Sequence, residues 1–279
     1  MSSDHDALRL SAATDAALCT IVGIDGSFSR RTGAQLAVAR DGSVAGDLAD
    51  NCLNAELANQ AFLEDGARML RYGKGSPFID FRLPCGSGID IVIDPRPDRA
   101  ALAAAVAELD ARREASVSLP LPASADPAFL ATRRYIPLVR LLVLGAGAEC
   151  TALVKLARAQ GIAVEWREAG NGLALDKVPA DLEADRWTAV LLLFHDHEWE
   201  QALLKWALDT PAFYIGAQGG APARVERIER LRAAGLGEEQ LARVLSPVGL
   251  IPRARDPQVL ALSVLADVVG AHEALHPHQ

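Results

Sequence analysis

Arg140-Leu141-Leu142-Val143-Leu144-Gly145-Ala146-Gly147 decides how the second half of this chain folds. The apolar run shows no polar alternation, so it predicts a strand buried on both faces, the kind found in parallel sheets covered by helices. Gly145 permits a tight turn, and Gly147 lets a diphosphate come close. Cys150–Gln160 then reads as a helix stopped by Gly161, and its first turn offers unpaired N–H groups and a positive dipole end. The third glycine of this fingerprint falls on Cys150. An acidic residue that holds a ribose is expected about 20 residues further on; Glu165 and Glu168 stand near that spot, and Glu168 joins Gly145 and Gly147 as a candidate contact.

Toward the C-terminus the rhythm continues. Ile162–Trp166, Ala189–Phe194 and Ala212–Ile215 read as strands, and Glu198–Leu208, Pro222–Ala234 and Pro257–Ala274 as helices. This alternation predicts a Rossmann-like parallel sheet. His195-Asp196-His197-Glu198 follows a strand directly, where open α/β sheets bind ligands. His195 and His197 are therefore candidate ligand contacts, the alternative being that Asp196 caps the next helix. His272, Glu273, His276 and His278 crowd the end of the chain, where Pro277 interrupts the helix, and read as a solvated tail.

Toward the N-terminus, Pro120, Pro122, Pro127 and Pro137 break all periodicity. We divide the chain accordingly into a first domain at 1–115, a linker at 116–137 and a second domain at 138–279. The first domain reads as α+β, with strands at Ala16–Val22, Ala34–Ala39 and Ile89–Ile93 and helices at Asn54–Gly66 and Arg99–Arg113. Its best anion-binding candidate is the loop Gly26–Gly33, where Ser27 and Gly33 accompany the cationic forks of Arg30 and Arg31.

Composition bounds the rest. The 279 residues are 50% hydrophobic and carry a net charge of −8. That balance excludes wholesale disorder and argues against a basic nucleic-acid footprint. Cys19, Cys52, Cys85 and Cys150 form no CxxC pair, so neither a zinc site nor a disulfide framework is expected. No apolar run approaches a membrane span and no signal peptide is visible, so the expected location is the cytoplasm, in reducing conditions.

Taken in order, these pieces resemble the XdhC/CoxI family of accessory proteins for molybdenum hydroxylases. The family's GSxPRxxGA loop reads here Gly26-Ser27-Phe28-Ser29-Arg30-Arg31-Thr32-Gly33-Ala34. Its GGGCVEAE stretch corresponds to Asp50-Asn51-Cys52-Leu53-Asn54-Ala55-Glu56, and its CGG to Cys85-Gly86-Ser87-Gly88. GAGH corresponds to Gly145-Ala146-Gly147-Ala148, and THDHE to Phe194-His195-Asp196-His197-Glu198. Tyr214-Ile215-Gly216 and Pro247-Val248-Gly249-Leu250 complete the series. Departures fall at Ser29, Asp50-Asn51, Ala148, Ala221-Pro222 and Ile251-Pro252-Arg253.

The resemblance implies an XdhC-type α+β domain followed by a Rossmann-like domain. It implies a chaperone, rather than an enzyme, that holds the molybdenum cofactor transiently during its maturation or its insertion into a hydroxylase of the xanthine dehydrogenase type. The implied partners are the apo-hydroxylase and a cysteine desulfurase, with a homodimer left open. The cofactor's pterin phosphate would sit on the Arg30–Arg31 loop, and Cys52 and Cys85 would face the cofactor, where thiolates handle sulfur or touch the metal. Two alternatives stay open: an NAD(P)-dependent oxidoreductase using the Gly145 turn, and a ligand-free interaction paralogue.

Overall fold

The computed structural model describes residues 3–48, 51–77, 83 and 86–278, and the side chains of all of these except Ser3, Asn51 and Cys52. The chain divides into two compact units, Ser2–Pro137 with His276–Gln279, and Leu138–Leu275.

The N-terminal unit runs α1 (Ser3–Ala13), β1 (Ala16–Asp25), β2 (Gln35–Ala39), β3 (Val44–Gly46), α2 (Asn51–Gln60), β4 (Arg68–Gly73), β5 (Gly88–Asp94), α3 (Arg99–Asp110), β6 (Ala115–Ser118) and β7 (Thr132–Tyr135). Five strands form one antiparallel sheet in the order β3-β2-β1-β5-β4. On one face, Cys19, Ile21, Leu36, Ile89, Ile91 and Ile93 pack against Leu53 and Leu57 of α2. On the other, Leu18 and Ala37 pack against Ala7 and Leu8 of α1 and Leu102 and Ala105 of α3. Asp98 starts α3 by accepting from the backbone N–H groups of Ala100 and Ala101, the usual role of an N-cap Asp.

Residues 116–137 differ from the linker expected of them. β6 and β7 pair antiparallel, Ala115 opposite Tyr135, and belong to the N-terminal unit. The prolines lie in the connection between the two strands and just beyond them, while Arg133 and Tyr135 point inward at alternate positions. A period-two pattern only four residues long is too short to stand out among prolines.

The C-terminal unit runs β8 (Arg140–Gly145), α4 (Ala148–Ala159), β9 (Ala163–Ala169), β10 (Gly172–Leu173), β11 (Thr188–Leu193), α5 (Glu200–Asp209), β12 (Tyr214–Ala217), α6 (Ala221–Ala233), α7 (Glu238–Ala242), β13 (Val244–Leu245) and α8 (Pro257–Glu273). The sheet is parallel, ordered β10-β9-β8-β11-β12-β13. β8 and β11 are buried along almost their whole length, each face filling its own core. The winding reverses between β8 and β11, beyond Gly145 and Leu193, the position where doubly wound sheets take ligands. No helix of the described residues is long and apolar enough to cross a membrane.

Candidate functional site

In the N-terminal unit the loop from β1 to β2 is pinched at its base. Gly33 N donates to Ile21 O at 2.7 Å, and Ile21 N to Ala34 O at 3.0 Å. Gly33 has φ +87, a left-handed conformation that glycine adopts at little cost. A Cβ there would also stand 3.0 Å from Arg133 Cδ and 3.2 Å from His278 Cδ2. Ser27 is exposed at the tip. Arg30 donates to Ser29 O within the loop at 3.2 Å and pairs with Asp47, which also accepts from Asn54 Nδ2 at 2.9 Å. That carboxylate offsets the charge of Arg30.

Arg31 instead belongs to a basic group that the sequence did not suggest. The charges of Arg31 and Arg133 reach both His276 and His278, and that of Arg134 reaches His278, the two histidines returning to this unit. The expected solvated tail is thus corrected: both rings are partly buried, and Arg134 N donates to His278 Nε2 at 2.9 Å. Burial, then the neighbouring arginines, push His276 down to about 3 and His278 to about 4. His272 is also not solvated; it lies buried edge-on to Trp187 and Phe213. These placements depend on where α8 ends in space, which tail composition cannot reveal.

Cys85 and the side chain of Cys52 lie outside the described residues; the Cys52 backbone forms the start of α2. The two described thiols, Cys19 and Cys150, are buried, and burial pushes both up to about 12. They are core residues. The same unit also holds a cavity of about 520 Å³ whose polar lining includes Thr20, Asp94, Asp98 and Ser116.

In the C-terminal unit Gly145 has φ +140, and a Cβ there would run into Leu193 O. Gly147 caps α4 without any side-chain bond. Glu149 fills the space in front of this turn. Its Oε2 lies 3.3 Å from where a Gly147 Cβ would be and 3.4 Å from His195 Nε2. Cys150, at the third glycine position, packs its Sγ 3.8 Å from Leu193 O, sealing the helix against β11. Trp166 Nε1 donates to Gly145 O at 2.8 Å. Of the two acidic candidates on β9, Glu165 is taken by Arg167 at 2.8 Å. Glu168 is half-buried, and its charge reaches Cys150.

The four-residue run after β11 separates by role. His195 is exposed, and Asp196 accepts from Glu198 N at 3.0 Å as a cap. His197 Nδ1 lies 3.0 Å from Glu200 Oε1 and 3.4 Å from Arg227 Nη2. Glu200 is in turn bound by Arg227 at 2.7 and 3.0 Å, and Arg227 also donates to Ser246 Oγ and Gln218 O, both at 2.6 Å. Sequence reasoning missed this network because Arg227 sits in a helix crowded with exposed charges. Beyond the end of β12, Gln218, Gly219, Gly220, Pro247 and Val248 help line a cavity of about 580 Å³.

A parallel sheet with a glycine turn at its switch point thus follows an antiparallel α+β unit with a glycine-flanked basic loop. Residues 10–73 match the model of the XdhC and CoxI family, and residues 141–268 match the XdhC Rossmann domain. This chain belongs to the XdhC/CoxI family. It is 33% identical over 272 residues to the molybdenum cofactor insertion chaperone PaoD of Escherichia coli (strain K12), covering 91% of this chain and 83% of that protein. A crystal structure of a protein described as a xanthine dehydrogenase from Bacillus halodurans has the same fold, with a TM-score of 0.74 at 20% identity, covering 99% of this chain and 97% of that one.

Proposed function

We propose that this protein is a molybdenum-cofactor-binding accessory chaperone that assists maturation or insertion of the cofactor into an apo-hydroxylase of the xanthine dehydrogenase type. The observation that carries the reading is the 33% identity to the cofactor insertion chaperone, which extends through both units. The cofactor is cargo, so the protein acts by binding and release rather than by catalysis. In the N-terminal unit, Ser27, Gly33 and Arg31 take the phosphate end, and Arg30 contributes from its pair with Asp47. Cys52 and Cys85 are the sulfur-handling candidates, and a cysteine desulfurase is the partner that would supply sulfur. In the C-terminal unit, Gly145, Gly147, Glu168, His195 and His197 form a second set of contacts. The site of action is the cytoplasm, and a homodimer is the simplest assembly.

NAD(P) is the weaker reading for the Gly145 turn. Glu149 places a carboxylate where a diphosphate would lie, and like charges at that distance repel. The deciding experiment is to purify the chain with a molybdenum-hydroxylase client and measure what it holds. Stoichiometric molybdenum and pterin fluorescence, passed to apo-client with gain of activity, support the chaperone. Retained NAD(P) with no pterin overturns it.

A further inference from the structure

His278 is seated on the N-terminal unit through a nitrogen that accepts, and His276 is tied to it from within the tail. Arg134 N donates to His278 Nε2 at 2.9 Å, and His278 N donates to His276 Nδ1 at 3.2 Å. An imidazolium has no accepting nitrogen, so the bond from Arg134 N holds only while the His278 ring is neutral. The charged groups around them are Arg31 from the β1–β2 loop and Arg133 and Arg134 from β7. Asp4 of α1 lies 2.8 Å from Arg133, and Glu114 lies 3.1 Å from Arg134. His5 of α1 also lies within reach of Arg133.

Arg133 carries the second observation. Its side chain is 2% exposed, yet its Nε finds no hydrogen-bond partner among the described residues. An unsatisfied buried N–H of a cation is costly, and a native structure that keeps one calls for a ligand or a function. That Nε stands 3.1 Å from where a Gly33 Cβ would be, beside His278 Cδ2. The space over Gly33 is therefore filled by the His278 ring, next to a donor that no described residue satisfies.

We propose that His276–His278 is a plug over an anion site formed by Arg31, Arg133 and Arg134 beside Gly33, and that a phosphate-class dianion binds there by displacing it. The inference rests on the chaperone reading only in naming the cargo's phosphate as the natural ligand. Acid favours the open state. A seated ring is held neutral, whereas a released ring regains its ordinary value near 6.5. At pH 7.5 protonation adds nothing to release. At pH 5.5 protonation of the freed His278 ring favours release by about tenfold.

The test uses the full chain and sulfate, a tetrahedral anion whose charge does not change between pH 5.5 and 7.5. Calorimetry is expected to show sulfate binding tighter by about tenfold at pH 5.5 than at pH 7.5. The His276→Ala/His278→Ala variant is expected to bind at pH 7.5 as tightly as wild type does at pH 5.5, with no pH slope. Arg31→Gln is expected to lose about tenfold at both pH values. Ring nitrogen NMR of wild type is expected to change from neutral tautomers to imidazolium as sulfate is added at pH 5.5. If the rings stay neutral, or if the double variant keeps the wild-type affinity and slope, the plug is refuted.

A parallel arm with inorganic phosphate and with the pterin cofactor at pH 7.5 separates this inference from the function. Anion binding as described with no cofactor bound leaves a site for free phosphate and overturns the chaperone reading. Cofactor bound equally by wild type and the double variant, with the sulfate arm negative, overturns the plug alone.

Discussion

Arg227 and Glu200 meet as a two-point ion pair, Nε to Oε2 at 2.7 Å and Nη2 to Oε1 at 3.0 Å, with side chains 4% and 2% exposed. The pair ties α6 to the start of α5 and holds His197 by its Nδ1. Removing one partner leaves a buried charge. Arg227→Ala is therefore expected to destabilise the C-terminal unit by about 3–5 kcal/mol, whereas Glu200→Leu/Arg227→Met costs much less. Urea unfolding followed by tryptophan fluorescence measures both; equal losses would show that lost packing, not the stranded charge, dominates.

Glu149 gives a second test. Glu149→Gln removes the carboxylate beside Gly147 and leaves the α4 dipole. Affinity for NADH is expected to rise by about fivefold, or about 1 kcal/mol. Fluorescence titration of both proteins decides; unchanged affinity would remove Glu149 as the obstacle.

The Gly145 conformation can be probed directly. Gly145→Ala introduces both a positive-φ penalty and a collision with Leu193 O. A loss of about 1–3 kcal/mol is expected from the backbone alone. Thermal melting that matches wild type would contradict the geometry.

Thiol reactivity should divide by burial. Cys19 and Cys150, pushed up to about 12 by burial, stay unlabelled by iodoacetamide at pH 8 in the folded protein. Label is expected only at Cys52 and Cys85. Peptide mass spectrometry reads the sites, and labelling of Cys150 as fast as a model thiol would overturn the assignment.

His5 predicts acid sensitivity in the N-terminal unit. Burial, then the charge of Arg133, lowers its pKa to about 4. Folding therefore favours the neutral ring, so its contribution is complete above about pH 6.5 and is lost as pH falls from there toward 4. Between pH 7.5 and pH 5.0 this amounts to about 2 kcal/mol. Urea midpoints of wild type and His5→Gln at both pH values check it, the variant being expected to show the smaller shift.

Much of the fold was legible from local pattern. The apolar run 141–144 and the six residues 189–194 emerge as β8 and β11, because a strand buried on both faces has no polar positions to hide. The ends of α6 and α8 agree within a residue with the expected ones, since proline starts and charge patterns are local signals. α1 left no such signal; its buried face carries Asp4 and His5 beside Ala7 and Leu8, so polarity alone disguised it.

The candidate sites divide along the same line. Sequence sufficed for the family's order of motifs and for Gly145 as a turn residue, and it offered Asp196 as a cap only as an alternative to ligand-facing histidines; each depends on neighbours a few positions away. It could not assign partners to charges. Arg30 turns to Asp47, Arg133 is buried on Asp4, and His278 closes over Gly33 from the far end of the chain. Such pairings join residues up to 245 positions apart, and their energies come from burial and distance, quantities that exist only once the sheets and helices have packed.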